Sequence, residues 1–272
     1  MSFLVTILAF LPALVMSAPE VQLPTGRVQG TDQVSQDTQN PYNAYRGIPF
    51  AVPPVNALRF KPPRPFVGTG KDKVISSIGF RPACQQNSPG KNMSEDCLYL
   101  NVYTPANASE TCKVMVFVYG GSFQTGDASQ YIPSELAAYH RLVVVVLQYR
   151  LGLYGFLNSQ DGDENNGLRD QLLAIKWVKD NIGSFGGDPN TITVFGQSAG
   201  AASLSLLAIS PRARGLFTQV LLQSGTARCN WAINRNPVVL LDSIAEKLGC
   251  KSPAALPRLV TSRMVKRRNL VA

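Results

Sequence analysis

The amino-acid sequence predicts an α/β fold with a mostly parallel central sheet, and three observations carry that prediction. Strand-like and helix-like segments alternate after Val114. Two continuous apolar runs, Val114 to Tyr119 and Leu142 to Leu147, have the β-branched content of strands buried on both faces. The pentapeptide Gly196-Gln197-Ser198-Ala199-Gly200 joins the β-branched and aromatic segment Thr191 to Phe195 to the Ala-, Leu- and Ser-rich segment Ala201 to Ile209, so a strand passes into a helix through a tight turn.

Taken in order, the chain begins with a segment that reads as a secretory signal. Phe3 to Met16 is apolar, too short for a comfortable membrane span, and is followed by the small residues Ser17 and Ala18. Residues 1–17 are therefore expected to be a signal peptide with cleavage after Ser17, and the product to be secreted, with no transmembrane segment. Val21 to Pro65 is rich in Pro, Gly and Arg and reads as loops with short extended pieces, anchored by Tyr42, Tyr45, Phe50 and Phe60. Val114 to Tyr119 is a buried strand, followed at once by Gly120-Gly121-Ser122-Phe123. Leu142 to Leu147 is the next strand. A helix from about Leu168 to Ile182, with Leu168, Leu172, Ile175 and Ile182 on one face, leads to the strand before Ser198. Val220 to Leu222 reads as a further strand. Pro237 to Leu248 reads as an amphipathic helix, with Pro at its start and Gly249 just past its end.

The bulk composition narrows the function. The 272 residues are 45% hydrophobic, enough for a globular core. The net charge of +9 comes from 26 basic and 17 acidic side chains, spread along the chain except for Arg263, Lys266, Arg267 and Arg268. No nucleic-acid-binding module accompanies this charge, so no nucleic-acid partner is expected. Five cysteines suit an oxidising compartment, and the odd number leaves at least one thiol without a partner in the chain. Asn92-Met93-Ser94 and Asn107-Ala108-Ser109 are glycosylation sequons.

The Gly-x-Ser-x-Gly turn between strand and helix is the nucleophile elbow of an α/β-hydrolase. A serine there projects its hydroxyl above the sheet, and the flanking glycines allow the close backbone approach. The Ala199 N–H then faces the oxygen that becomes negative during acyl transfer. The turn at Gly120-Gly121-Ser122 aims further N–H groups at the same point, completing an oxyanion hole. A serine also needs a base. The one histidine, His140, precedes the Leu142 strand, whereas Ser198 follows the carboxyl end of a neighbouring parallel strand. That places the two on the order of 20 Å apart and excludes His140 as the base.

Several blocks resemble the type-B carboxylesterase family, which includes the cholinesterases. They are Gly47-Ile48-Pro49-Phe50-Ala51-Val52-Pro53-Pro54 with Arg59-Phe60, Ser94 to Val102, Val118 to Phe123, Tyr149-Arg150-Leu151-Gly152, Asn166 to Gln171, Phe185-Gly186-Gly187-Asp188-Pro189, and the elbow. The resemblance implies an α/β-hydrolase fold, with residues 18–272 forming the amino-terminal part of the family's domain. It implies Ser198 as catalytic nucleophile and the backbone N–H groups of Gly121, Ser122 and Ala199 as oxyanion donors. It implies a Cys84–Cys97 disulfide and structural ion pairs Arg59–Glu95 and Arg150–Asp170. Ser224 matches a serine that supports the acidic triad member, and Gln197 stands where many relatives have Glu. Cys250 matches a half-cystine whose partner position holds Ser262, leaving it free or paired with Cys229.

Two departures shape the expected function. The family's triad acid and histidine lie downstream of the elbow, beyond residue 272, so the chain is expected to be a truncated form, inactive alone. The twelve residues between Cys84 and Cys97 hold no tryptophan, and a quaternary-ammonium site needs such an aromatic face. The expectation is therefore a general carboxylic ester hydrolase acting on small esters through an acyl-enzyme, with no metal or organic cofactor. The alternative is a secreted, non-catalytic binding or adhesion protein of the same fold.

Overall fold

The apolar runs assemble into a seven-stranded sheet. Its strands are β1 (Thr31–Val34), β2 (Pro41–Pro49), β3 (Tyr99–Pro105), β4 (Cys112–Val118), β5 (Val143–Leu147), β6 (Gly187–Gln197) and β7 (Gln219–Gln223). The order across the sheet is β7-β6-β4-β5-β3-β2-β1. The computed structural model describes residues 18–68, 70, 72–157, 163–235, 246 and 249. The expected signal peptide, the Pro237–Leu248 helix apart from Glu246, the basic cluster and Cys250 lie outside the described residues.

Strands β7, β6, β4 and β5 run parallel to one another, and β3, β2 and β1 extend the sheet antiparallel. The segment expected to be mostly loop thus supplies β2, nine residues long. Its Tyr42, Tyr45 and Ile48 are nearly fully buried, so paired strand rather than loop satisfies their backbone. Separately, Glu20–Leu23, Gly26–Gln29 and Val74–Ser76 make a three-stranded sheet, and Ala83–Cys84 pairs with Met93–Ser94.

Among the described residues four α-helices are long enough to name: α1 (Ser134–Ala138), α2 (Gly152–Phe156), α3 (Asn166–Asn181) and α4 (Ala199–Ala208). The chain leaves β5, passes through α2 and α3, and returns as β6 on the far side of β4. The carboxyl ends of β4 and β6 therefore stand together where the strand order reverses, the usual place for a crevice in an open α/β sheet.

The core-facing side of α3 differs from the expected leucine stripe. Ile175, Val178 and Ala174 are buried, and so are the polar Asp170 and Gln171, while Leu172 is only half-buried. The polar pair is buried because each has a partner. The Asp170 carboxylate accepts from the Arg150 amide at 3.0 Å and from its guanidinium at 2.8 and 2.7 Å. Gln171 donates to the Ser203 hydroxyl at 3.2 Å, tying α3 to α4. The Arg59–Glu95 pair also forms and is bidentate, and it raises the Arg59 guanidinium above its ordinary value.

The Cys84–Cys97 disulfide is formed. Cys112 is a buried free thiol, pushed up by burial, and Cys229 has no disulfide partner among the described residues; the pairing expected for Cys250 falls outside them.

Two measurements follow. Arg150 and Asp170 are 3% and 0% exposed, so Asp170→Ala leaves a buried charge unpaired and should lower unfolding stability by about 3–5 kcal/mol. Lys176→Ala breaks the exposed Lys176–Asp180 pair and should cost under about 1 kcal/mol in the same urea titration. Separately, the Glu135 carboxylate accepts from the Thr38 hydroxyl and the Asp37 amide, and the Thr38 bond chiefly lowers its value below the ordinary 4.5. A lowered folded value gives stabilisation that is complete above 4.5 and lost as pH falls through the folded value. Hydrogen exchange at the Asp37 amide, corrected for intrinsic rates, should lose protection in that acid range, and Glu135→Gln should abolish the pH dependence.

Candidate functional site

Ser198 sits where β6 gives way to α4, at φ +53° and ψ −121°. A non-glycine residue rarely adopts this backbone, and the surroundings must hold it there. Three close approaches do so. A Cβ at Gly200 would collide with the Val118 carbonyl oxygen and lie 2.7 Å from that of Tyr119. One at Gly196 would meet the Val118 carbonyl at 2.8 Å and Gly200 itself at 2.8 Å. Both glycines of the pentapeptide are therefore required so that α4 can begin against the end of β4. From the other side, the Ser198 amide donates to the Gln223 carbonyl at 2.8 Å, pinning the turn to the end of β7.

The glycine turn after β4 lies directly alongside. A Cβ at Gly120 would come within 2.5 Å of the Gln197 carbonyl and 2.9 Å of the Ser198 Cβ. The turn closes on itself, with the Gln124 and Thr125 amides both donating to the Gly121 carbonyl at 2.9 Å. Gly121 has φ +107°, and Ser122 and Phe123 are also left-handed at +56° and +61°. Among the described residues, no hydrogen bond occupies the N–H groups of Gly121, Ser122 or Ala199, or the Ser198 hydroxyl. Ser198 is half-buried and Ala199 buried. The arrangement is a partly exposed hydroxyl flanked by uncommitted backbone donors, with the chemical capacity to attack a carbonyl and hold the resulting oxyanion.

Residues without an obvious sequence signal fix the glycine turn. The Gln86 side-chain amide, two residues past Cys84, donates to the Gly126 carbonyl at 2.7 Å and accepts from its amide at 3.0 Å. Behind the turn, Tyr119 and Tyr149 stack at 4.7 Å. The Tyr119 hydroxyl donates to Gln148 at 2.7 Å, and Gln148 donates to Asp127 at 3.0 Å. Burial raises both phenols far above their ordinary values, so they stay neutral. An aromatic wall stands over the turn: Phe123 lies 5.0 Å from Phe156 and 6.5 Å from Trp231, which is 46% exposed. Trp231 was legible only as an aromatic after β7.

The structure does not bring His140 to the serine. Val143 on β5 and Ile192 on β6 are level with Val114 on β4. His140 precedes that level and Ser198 follows it, so at about 3.3 Å per residue they are about 30 Å apart along the strands. β4 lies between the two strands, which are not immediate neighbours as expected. His140 is exposed and packs edge-on against Tyr139. Ser224, exposed at φ +57°, directly follows β7 beside the serine turn. Among the described residues, no group of three or more His, Cys, Asp or Glu side chains could hold a metal ion.

The sheet order and the strained strand–serine–helix turn define an α/β-hydrolase fold. A sequence profile of the carboxylesterase family matches residues 17–270, and the chain belongs to that family, matching the amino-terminal portion of its members. It is 38% identical to Liver carboxylesterase 1 of Oryctolagus cuniculus over 256 residues, 86% of this chain and 45% of the relative. It is 41% identical to Carboxylesterase 5A of Homo sapiens over 227 residues, 77% of this chain and 39% of the relative. It is 35% identical to Neuroligin-2 of Mus musculus over 300 residues, 93% of this chain and 36% of the relative. The chain thus spans less than half the length of these relatives.

Two substitutions test how the turns are held. Gly120→Ala forces a methyl into backbone 2.5 Å away and should destabilise by about 1–3 kcal/mol. Ser122→Gly removes a left-handed cost of about 1–2 kcal/mol and adds about 0.5–1 kcal/mol of chain entropy loss, so stability should rise by up to about 1.5 kcal/mol. Urea midpoints of the two variants against the parent chain check both signs.

Proposed function

We propose that the complete protein hydrolyses small carboxylic esters, with Ser198 as the nucleophile. The reading rests on Ser198 held at φ +53° beside the uncommitted N–H groups of Gly121, Ser122 and Ala199. Family membership supports the reaction class. The hydroxyl attacks the ester carbonyl, the three amides stabilise the oxyanion, and water then hydrolyses the acyl-enzyme. The aromatic wall of Phe123, Phe156 and Trp231 excludes water from the apolar part of the ester. No cofactor is needed. The proton of Ser198 needs a base, and His140, the one histidine of the sequence, stands at the far end of the sheet; the reading therefore requires a histidine and carboxylate that the described residues do not bring to Ser198.

A second reading, a non-catalytic binding or adhesion protein, is favoured by the likeness to Neuroligin-2. A fluorophosphonate probe and a short-chain nitrophenyl ester separate the two. The 272-residue chain alone should neither label nor turn over, since loss of the histidine costs a serine hydrolase on the order of 10⁶ in turnover. A longer form of the same chain carrying a histidine near Ser198 should do both, and Ser198→Ala should abolish both. A long form inert to probe and ester would support the binding reading. Turnover by the 272 residues that vanishes in Ser198→Ala would show that another residue serves as base.

Secretion and glycosylation belong to the same proposal. Asn107 is exposed in the turn between β3 and β4, and Asn92 is exposed inside the disulfide loop. Secreted protein should lose mass on glycosidase treatment, the Asn107→Gln variant losing less. An unchanged mass would exclude both sites.

A further inference from the structure

On the outer side of α3, away from the serine turn, lies a groove of about 240 Å³. Its floor is Leu172 and Leu173 from α3 and Leu216 from the segment before β7, all half-buried against the core. Pro62 and Pro63 form one wall. Three cations line the rim: Arg169, Lys176 and Arg212.

The helix period sets this pattern. Arg169, Leu172, Leu173 and Lys176 fall at i, i+3, i+4 and i+7, so α3 presents one stripe with apolar residues between two cations. Arg212 stands on the same groove from the turn that follows α4, and no ion pair engages its exposed guanidinium among the described residues. Lys176 pairs with Asp180, but that contact is more than half exposed at both ends, and such pairs yield readily to a competing anion. Arg169 donates from Nε to the Glu164 carbonyl, which fixes the guanidinium at the groove edge.

We propose that this groove binds a monomeric anionic amphiphile: a carboxylate-headed alkyl chain with its head on Arg212 and Lys176 and its tail on the leucine floor. The volume suits a medium-length chain rather than a drug-sized ligand. The charge suits a carboxylate, which Arg engages through two parallel N–H donors. The site is independent of Ser198 and stands whether or not the chain is an esterase.

Isothermal titration of the 272-residue chain with sodium octanoate tests it. Saturable one-to-one binding is expected, weakened by salt. Acetate lacks the tail and octan-1-ol lacks the charge, and each should bind at least about fivefold more weakly. Arg212→Glu should weaken octanoate about tenfold or more, equivalent to about 1.4 kcal/mol, and Lys176→Gln should weaken it by less. Both side chains are exposed, so circular dichroism of the two variants should match the parent. Equal affinity for octanoate and octan-1-ol, or octanoate affinity unchanged in Arg212→Glu, overturns the proposal. Binding to anionic phosphatidylserine vesicles without binding to monomeric octanoate also overturns it, in favour of a membrane-surface site.

Discussion

The close backbone approach between the end of β4 and the turn after β6 is the constraint on which the rest depends. Gly196 and Gly200 both lie against the Val118 carbonyl, and Gly120 lies against Gln197 and Ser198. No side chain fits at any of these positions. Two strand ends are thereby brought into backbone contact, with Ser198 on one and the Gly120–Ser122 turn on the other. Such geometry cannot be assembled gradually by side-chain adjustment, because the contacts are backbone to backbone. It also sets Ser198 in an unfavourable conformation, and that conformation persists because the surrounding β4, β6 and β7 leave it no alternative.

Buried polar groups hold the second layer of this arrangement. Arg150 and Asp170 lock the start of α2 to α3, which fixes the crossover that returns the chain to β6. The Tyr119–Gln148–Asp127 chain stiffens the strand ends beneath the glycine turn. Gln86 closes the far end of that turn by substituting for a backbone partner of Gly126. Each group is satisfied within the fold. Loss of one partner therefore costs more than the pair contributes, since the remaining group stays buried. The disulfide loop acts through this same point: it carries Gln86, so its covalent closure bears on the placement of Ser122.

The parallel part of the sheet was legible because β5 is buried throughout and β4 from Val116 to Val118, both reading as apolar runs, and because the second half of β6, Thr191 to Phe195, is β-branched and aromatic. The pentapeptide was legible because glycine spacing reports a backbone contact directly. β2 and β3 were not, because their sequences mix Pro, Asn, Arg and Tyr, and their pairing is decided by long-range register rather than local pattern. The α3 face was misread for a related reason. Periodicity counts leucines, whereas Asp170 and Gln171 are inside on account of partners twenty and thirty-two residues away. Gln86 had no local signal at all. The position of β4 between β5 and β6 follows from strand order, which a strand–helix–strand pattern leaves open.

β7 differs from every other parallel strand. Among the described residues it pairs only with β6, and its exposure alternates, with Gln219, Leu221 and Gln223 exposed and Val220 and Leu222 half-buried. Across the sheet, Leu221 is in register with Phe195, which is in register with Phe117, so an apolar row runs from the covered centre to an open edge. Its sequence, Gln-Val-Leu-Leu-Gln, carries none of the charges or prolines that protect natural edge strands from pairing. An edge of this kind favours pairing with a further strand. The carboxyl end of this same strand holds Ser224 and pins Ser198 through Gln223. A strand paired on β7 would therefore border the serine turn. Among the described residues, the open edge and the serine turn thus meet on one side of the sheet.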